Sequence, residues 1–546
     1  MEMQPLTSIH LHSNLSFEMG ANGNISYVTI FSLVAALILI IASINYTNLS
    51  TARSSLRVKE IGVRKVNGSG RGQLVLMFLA ESVLITFIAS AIAILLVNLL
   101  LPSFQHFIGK ELTIWHFGIW KTIFFLAGFS LLAGCISGIY PALFLSGFKL
   151  IPSLKGQTGN HKGNFVFRQS LVVFQFVITI AMIAGSCIIW QQLHYVSKKD
   201  LGFNKDQVIV FHISRDMRKQ IPAIKQDLLQ NHLIESVATA SNPIGNNNIG
   251  GRSYAIETDG TTIKRENKAQ TFQIDEDFIP ALQIKLAAGR NFSETMLTDK
   301  DHAVIVNETL AKDAGWKDPI GKRIQLGIDE QKNPLMFEVA GVVKDFNIYS
   351  LQHKVEPLIL QLPPAANDKD NMYVRLSKSN IKSALAFSES IYKKYDPSDP
   401  FDYNFLDQNF AKQYAAEQLQ GSLLMIFTAL AISIACLGLF GLVTFTAEQR
   451  RKEIGIRKVL GSSVSGIVML LAKDLLRLVM VAIVIATPVA WLAMTKWLQD
   501  FEYKISINWW VFAIAGILAL LIAFITVSFK AIKAAIANPV ISLRSE

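Results

Sequence analysis

KEIGVRKVNGS at residues 59–69 occurs again as KEIGIRKVLGS at residues 452–462, 393 positions later. Nine of the 11 aligned residues are identical, and only Val63/Ile456 and Asn67/Leu460 differ. Each copy follows one long apolar segment and precedes another. A polar, basic stretch that is duplicated between apolar segments predicts one partner that docks to both copies.

The pattern inside the motif indicates a short surface helix. Glu60 and Arg64 can pair on one helix face, and Glu453 and Arg457 repeat the arrangement. Gly62 and Gly455, in the middle of the copies, predict a close approach of another surface or a bend in the helix. Gly68 and Gly461, near the ends of the copies, predict that the helix ends there. A basic loop that only fixes membrane topology would explain the charge but not the identities. The predicted docking residues are Lys59, Glu60, Gly62, Arg64, Lys65, Gly68, Lys452, Glu453, Gly455, Arg457, Lys458 and Gly461.

The apolar segments indicate a membrane protein. The chain of 546 residues is 51% hydrophobic and only 17% charged, which is too apolar for an ordinary soluble protein. Seven segments are long enough to cross a bilayer as helices. The predicted spans are 27–48, 74–101, 119–145, 170–190, 421–445, 464–497 and 509–529. The predicted fold class is an α-helical multi-span membrane protein with one α+β extracytoplasmic domain.

Positive charge is concentrated in the connections on one side of these spans. Residues 193–420 contain 28 basic and 30 acidic residues, whereas the rest of the chain contains 24 and 11. Basic segments at 51–73, 146–169, 447–463 and the C-terminal tail are predicted to be cytoplasmic by the positive-inside rule. The polar insert and the N-terminus are then extracytoplasmic. This distribution favours topology over nucleic-acid binding, so no nucleic-acid partner is expected.

The polar insert at 193–420 mixes two kinds of pattern. QVIVFHI, HAVIV, FEVAGVV and MYVRLS, which begin at 207, 302, 337 and 372, predict strands, and 380–394 predicts a helix. An α+β domain of 228 residues is large enough to hold its own core. We expect its acidic triplet, Asp275-Glu276-Asp277, to be a solvated face or a helix cap rather than a set of catalytic acids.

The repeated motif resembles the pattern E-I-G-x-R-[KR]-x-x-G-[AS] of the FtsX/MacB-type family of ABC-transporter permeases. Both copies match it, and further matches are GIYPA at 138–142, DPIGK at 318–322 and AGVVKDF at 340–346. The resemblance covers essentially the whole chain. It implies that the insert is a MacB-like periplasmic core domain and that the spans form two FtsX-like modules.

Duplicated members of the family have eight spans, so the chain is expected to be N-terminally shortened by about one span and one domain. The expected parts are 1–26, the remnant of a first periplasmic domain; 27–147, the first three-span module; 148–169, a cytoplasmic linker; 170–192, a transmembrane helix; 193–420, the periplasmic domain; and 421–546, the second three-span module.

The sequence shows no catalytic or metal motif. GWKDPIGKR at 315–323 approaches a P-loop, but its spacing is one residue too long and Arg323 replaces Ser/Thr. The three cysteines lie in apolar segments without metal-ligand spacing. We therefore expect no catalytic residue, no metal and no cofactor, and the resemblance implies that ATP is hydrolysed by a separate subunit.

The resemblance implies the permease subunit of an ABC transporter in the bacterial inner membrane. A cytoplasmic ATPase would dock on both motif copies and drive export or release of an envelope substrate such as a peptide, antibiotic or lipoprotein. The alternative is a mechanotransmitting or sensing protein that drives a periplasmic partner without transport. A permease dimer, surrounding membrane lipid, and a periplasmic adaptor or substrate protein are the further expected partners.

Overall fold

Seven helices in the computed structural model are long and apolar enough to cross a membrane, counted over the residues that the structure describes. Those residues are 5, 11, 25–53, 57–146, 162–245, 250–258, 261–328, 334–349, 351, 353–362 and 369–536. The candidate spans are Ile25–Thr51, Arg71–Ile108, Ile119–Ser146, Val166–Lys198, Ala415–Glu448, Val464–Leu498 and Trp509–Lys533. The predicted fold class, with seven spans and one mixed domain, is confirmed.

The helices and strands are numbered along the chain. The helices are α1 (Ile25–Arg53), α2 (Val58–Val66), α3 (Arg71–Ile108), α4 (Ile119–Ser146), α5 (Lys162–Lys198), α6 (Ile221–Leu229), α7 (Phe278–Ala281), α8 (Asp299–His302), α9 (Glu308–Asp313), α10 (Ile381–Tyr395), α11 (Leu406–Gln413), α12 (Ala415–Gln449), α13 (Arg451–Val459), α14 (Val464–Leu498) and α15 (Trp509–Ile536). The strands are β1 (Val208–His212), β2 (Ile234–Ala240), β3 (Gly251–Thr258), β4 (Thr261–Gln273), β5 (Leu286–Gly289), β6 (Ala303–Asn307), β7 (Arg323–Ile328), β8 (Pro334–Val343), β9 (Leu358–Gln361), β10 (Asn371–Leu376) and β11 (Tyr403–Phe405).

The chain divides into a membrane unit and an extracytoplasmic unit. The membrane unit comprises 24–190, 419–497 and 506–546, and the other unit includes 191–418 with the short loop Leu498–Ile505. The predicted remnant at 1–26 lies outside the described residues, apart from residues 5, 11, 25 and 26. The same holds for 147–161 of the predicted linker.

The equivalent helices α1 and α12 meet at equivalent positions of the repeat. Asn45 of α1 donates a hydrogen bond to the Ile434 carbonyl at 2.5 Å. A Cβ atom on Gly438, which is 393 positions after Asn45, would lie only 1.9 Å from Asn45 Oδ1. Equivalent residues touch where a pseudo-two-fold axis passes, and two side chains cannot share that place. The repeat therefore loses its sequence identity there.

The first sheet of the extracytoplasmic unit is antiparallel, with the strand order β11-β1-β10-β2. Val208 of β1 pairs with Arg375 of β10, and Asn371 of β10 pairs with Ala240 of β2. Helices α6 and α10 supply Ile224 and Tyr392 to the buried cluster on this sheet. The apolar residues that predicted β1 and β10 from the sequence thus form part of a core of this unit.

The second sheet has the order β5-β8-β6-β9-β4-β3-β7, and β7 also pairs with β8. That last pairing closes six strands into a ring, which leaves β5 outside it. Val304, Val339 and Ile359 are fully buried in its core cluster. Closure leaves neither side of the six-stranded ring open, which protects these strands from edge-to-edge pairing.

The acidic triplet differs from its prediction. Asp275 is fully buried, and its Oδ2 accepts hydrogen bonds from Thr239 N at 2.7 Å and Thr239 Oγ1 at 2.6 Å. Lys225 Nζ lies 2.8 Å from the same oxygen. The expectation of a solvated face or cap was wrong for Asp275, because an ion pair and strand β2 hold the carboxylate inside. Burial raises the pKa of Asp275 above its ordinary value.

Candidate functional site

Both copies of the repeated motif form one short helix with the same end. In the first copy Gly68 has φ +88°, and Ser69 N donates to Arg64 O at 3.0 Å. In the second copy Gly461 has φ +87°, and Ser462 N donates to the Arg457 carbonyl at 2.9 Å. This is the Schellman arrangement, in which glycine adopts the left-handed conformation that ends a helix. The predicted role of both glycines as helix ends agrees with this geometry.

The inner face of each motif helix packs on the spans of its own half. Ile61 of α2 is 1% exposed and contacts a cluster that contains Leu74 and Phe78 of α3. Ile454 of α13, the equivalent residue, is 5% exposed and packs with Ile467 and Leu471 of α14. Burying such a side chain contributes roughly 1.5–3 kcal/mol. The isoleucines therefore anchor both helices to the membrane unit.

The glycines at mid-motif lie on the same inner face. Gly62 and Gly455 are both buried and directly follow the anchoring isoleucines. A residue without a side chain allows the helix backbone to come close to the surface beneath it. The close approach predicted for these glycines is therefore consistent with contact to the membrane unit itself, on the side away from solvent.

The outer face of each motif helix carries a paired acid and base. Arg64 Nη2 lies 2.9 Å from Glu60 Oε1, and Arg457 Nη2 lies 2.9 Å from Glu453 Oε1. About half of each of these four side chains is exposed. The outer faces, defined as Glu60, Val63 and Arg64 on α2 and Glu453, Ile456 and Arg457 on α13, present the same chemistry twice.

A second ion pair joins each motif helix to the span that follows it. Arg57 Nη1 and Nη2 donate to the two oxygens of Glu81 at 2.7 and 2.8 Å. In the second half, Arg450 Nη2 lies 3.6 Å from Asp474 Oδ2. The hydrogen bond that Arg57 donates to Glu81 raises the pKa of Arg57. These pairs occupy equivalent positions 393 residues apart, and the shorter aspartate side chain accounts for the longer distance.

The predicted lysines do not all belong to the outer faces. Lys65 Nζ donates to the carbonyl of Ser146, the last residue of α4, at 2.7 Å. Burial lowers the pKa of Lys65. This lysine stabilises a helix C-terminus, where a cation is favourable. Lys458 is half-buried, and Lys59 and Lys452 lie in the helices with side chains outside the described residues.

Sequence reasoning missed two contributions to this site. The anchoring role of Ile61 and Ile454 could have been found, because both fall on the face opposite the charged pair. The Arg57–Glu81 and Arg450–Asp474 pairs join residues 24 positions apart, so no helical spacing connects them. Their identical offset in the two halves was the available signal.

Family models match most of the chain. A model described as "FtsX-like permease C-terminal" matches residues 32–150 and again 425–539, so it includes both motif helices. A model described as "MacB-like periplasmic core domain" matches residues 176–386. The chain belongs to the FtsX/MacB-like family of ABC transporter permeases. It is a membrane-spanning permease with a periplasmic domain, as the sequence resemblance predicted.

One curated relative of this permease is the "Macrolide export ATP-binding/permease protein MacB" of Bdellovibrio bacteriovorus. The two are 31% identical over 128 residues, which is 22% of this chain and 18% of the relative. The chain thus matches less than a fifth of the relative's length.

Two solved structures resemble the permease over part of its length. The periplasmic region of MacB from Actinobacillus actinomycetemcomitans is 16% identical with a TM-score of 0.27, over 40% of this chain and 97% of that one. The extracellular domain of the noncanonic ABC-type transporter YknZ from Gram-positive bacteria is 15% identical with a TM-score of 0.24, over 36% and 97%.

The chemistry of the site lies in its exposed charges. Within the part of the permease that the structure describes, no group of three His, Cys, Asp or Glu side chains could hold a metal ion. The two outer faces instead offer half-exposed charges on anchored helices. Charges on anchored helices lose little conformational freedom on binding, so they can discriminate between partners by charge complementarity.

Proposed function

We propose that the chain is the transmembrane subunit of an ABC transporter in the bacterial inner membrane. Its outer faces on α2 and α13 dock a separate cytoplasmic ATPase, which hydrolyses ATP while this chain does not. Movement of the docked ATPase drives export or release of a periplasmic or envelope substrate, such as a peptide, an antibiotic or a lipoprotein. The residues proposed for coupling are those of the repeated motif.

The equivalence of the two outer faces supports this proposal. Each helix has a buried isoleucine, a capped end and the same exposed Glu–Arg pair. An ion pair between an arginine and an acid joins each helix to the next span. A helix that only satisfied topology would need basic residues alone. An acid and a base that are paired in the same way in both halves suit a partner that offers two equivalent sites.

A swap of the outer charges tests the docking role. Single reversals, Arg64→Glu and Arg457→Glu, are expected to reduce co-purification of the cognate ATPase by about tenfold or more, because each repels a complementary charge. The double swap Glu60→Arg/Arg64→Glu keeps the net charge and the pair within the helix. It is expected to lose the ATPase as well, since the partner contacts the pattern rather than the pair.

The matched control reverses two lysines on the periplasmic unit, Lys312→Glu and Lys382→Glu, which are exposed and distant in sequence from the motif. This variant is expected to retain the ATPase. Full binding by all outer-face variants would contradict docking. Recovery of binding by the swap would show that the pair acts only within its helix.

Mechanotransmission without transport is the second candidate, and one observation favours it. Helix α5 runs unbroken from Lys162 to Lys198, and its last residues, from Gln191 onward, belong to the periplasmic unit. A displacement of this helix reaches the domain without passing through a flexible linker. ATP-dependent change in amide exchange of residues 201–414, measured with the ATPase and no added substrate, is expected if the domain acts on a periplasmic partner. Identical exchange with and without ATP would exclude this mode.

A permease dimer, surrounding lipid and a periplasmic adaptor or substrate protein complete the proposed assembly. Large apolar side chains on α3, among them Leu95 and Leu99, are 68% and 71% exposed in the single chain. Such surfaces need lipid or a second permease as their environment. Crosslinking of Leu95→Cys chains in native membranes, in a cysteine-free background, is expected to yield a dimer if this face lies between two copies.

A further inference from the structure

A wide groove opens in the periplasmic unit beside the end of α5. It has a volume of about 1140 Å³ and lies between the segment that follows α5, the end of β8 and the loop Leu498–Ile505. All of its lining residues belong to the periplasmic unit. Six lysines line it, and we call it the lysine groove: Lys198, Lys199, Lys205, Lys285, Lys344 and Lys354.

The excess of positive charge in the groove does not follow from the composition of the domain. Residues 193–420 contain more acidic than basic residues. Only three aspartates line the groove against the six lysines. Two of them are engaged locally, because Asp200 accepts from Gly202 N at 2.9 Å and Asp345 accepts from Thr309 N at 2.9 Å. Asp200 and Asp206 are both exposed, and the lysines of the groove outnumber its aspartates two to one.

Most of the lysines lack a carboxylate partner. Within the described part of the chain, no ion pair is formed by Lys198, Lys205, Lys285 or Lys344. Lys354 Nζ lies 3.6 Å from Glu502, and Lys199 Nζ lies 3.6 Å from the centre of the Tyr503 ring. The four ammonium groups without an ion pair can therefore attract an anionic ligand.

The backbone that carries the lysines is held in place. The buried guanidinium of Arg375 donates to three carbonyls, those of Ala281 at 2.7 Å, Asn204 at 2.8 Å and Asp206 at 3.0 Å. The fully buried Gln192 donates to Tyr503 O at 2.8 Å and accepts from Ile505 N at 3.0 Å. The walls around Lys205 and Lys285 are therefore fixed before any ligand binds, which favours affinity.

The position of the groove indicates the chemistry of its ligand. Lys198 is the last residue of the span in α5, and Tyr503 lies in the short connection between α14 and α15. The connection between α14 and α15 is short, so the chain keeps Tyr503 close to the outer surface of the membrane, where tyrosine is a common interfacial residue. The positive-inside rule counts short loops, so it does not explain lysines in a domain of this size. Phosphate groups are the anions of this layer.

We propose that the lysine groove binds the phosphate group of an anionic molecule at the outer surface of the membrane. The lysines act as point charges on the phosphate oxygens, and Tyr503 packs against the adjoining apolar part of the ligand. The same chemistry fits a lipid headgroup or a soluble phosphate ester. The site is independent of the ATPase-docking surface, so loss of one leaves the other intact.

Titration of the full-length chain in neutral detergent tests this site. The probes are dihexanoyl phosphatidylglycerol, dihexanoyl phosphatidylcholine and glycerol phosphate, with binding measured by microscale thermophoresis. We expect phosphatidylglycerol to bind at least about tenfold tighter than phosphatidylcholine. The variant Lys205→Gln/Lys285→Gln/Lys344→Gln is expected to weaken that binding at least about tenfold, since each lysine near a surface phosphate contributes substantially.

The matched control removes the same charge elsewhere on the domain. Lys312→Gln/Lys317→Gln/Lys382→Gln changes three exposed lysines outside the groove and is expected to bind within about twofold of the unaltered chain. Groove-dependent binding of phosphatidylglycerol alone identifies a lipid, and groove-dependent binding of glycerol phosphate as well identifies a soluble ester. Equal binding of the two lipids, or equal loss in both triple variants, would overturn the proposal.

Discussion

Single apolar residues decide whether the charges of the motif have a fixed position. Glu60 and Arg64 are about half exposed, and an exposed i,i+4 pair stabilises a helix by only about 0.3–0.5 kcal/mol. The nearly complete burial of Ile61 contributes several times as much. The buried isoleucine therefore contributes more to the position of the helix than the exposed ion pair does.

Truncation of the anchor is expected to release α2 without unfolding the protein. Ile61→Ala should cost about 2–4 kcal/mol of local stability, because it empties a packed site against α3. Val63 lies on the opposite side of the same helix and is 53% exposed, so Val63→Ala should cost less than about 0.5 kcal/mol. Amide exchange of residues 58–69 measures both, and equal protection in the two variants would refute the anchoring role.

The ion pairs that join the motif helices to the following spans predict a difference in stability between the two halves. Arg57 forms two short hydrogen bonds with Glu81, whereas Arg450 and Asp474 are 3.6 Å apart. All four of these side chains are more than a third exposed, so Arg57→Ala should cost about 0.5–1 kcal/mol and Arg450→Ala, whose ion pair is longer, should cost less.

Changing the chain length of the acid tests the asymmetry directly. Asp474→Glu is expected to increase the protection of α13 in amide exchange, because glutamate has the reach seen at Glu81. Glu81→Asp should decrease the protection of α2. Changes in the opposite directions would show that the length of the acidic side chain does not determine the strength of these ion pairs.

At the scale of elements, a bidentate ion pair secures the connection between β5 and α8. Arg290 donates to both oxygens of Asp299 at 2.6 Å, and Ser293 N donates to the same carboxylate at 3.1 Å. The Asp299 side chain is 2% exposed. The Arg290 guanidinium holds the pKa of Asp299 below its usual range. Stabilisation is therefore present above about pH 4, the ordinary range of an unfolded aspartate, and is lost as the pH falls through the folded pKa.

Asp299→Asn is expected to cost about 1–2 kcal/mol at pH 7, after allowance for the partly exposed Arg290. The variant lacks the contribution at every pH, so its difference from the unaltered chain should shrink below about pH 4. Amide exchange of residues 290–303 at pH 7 and pH 3, corrected for intrinsic rates, measures this. A difference that stays constant or grows on acidification would contradict the assignment.

The sequence predicted a strand well where an apolar run corresponds to a buried position in the sheet. The short apolar runs in QVIVFHI and MYVRLS marked β1 and β10 because both strands are almost entirely buried. Closure of the second sheet was not predictable, since it depends on β7 pairing with both β3 and β8. The place of the loop Leu498–Ile505 in the periplasmic unit was likewise not predictable. It depends on contacts between residues distant in sequence, among them the hydrogen bonds of Gln192 and the ion pair of Lys354 with Glu502.

At the scale of the whole molecule, the two motif helices belong to a repeat whose axis passes near Asn45 and Gly438. These residues are equivalent by sequence and in contact in the structure. Related copies in the same orientation place both outer faces on one side of the membrane. A hydrophobicity pattern alone predicts the spans but not their pairing, because it contains no distance between helices.

The central claim is that both outer faces contact the same ATPase. Val63 and Ile456 are equivalent, are 53% and 51% exposed, and lie between the charges of their helices. Cysteine placed at either position, in a chain with Cys135, Cys187 and Cys436 replaced, can be crosslinked in native membranes. The account predicts crosslinks to the ATPase subunit from both Val63→Cys and Ile456→Cys and none from Lys382→Cys on the periplasmic unit. Crosslinking from neither motif position, or equally from Lys382→Cys, would contradict it.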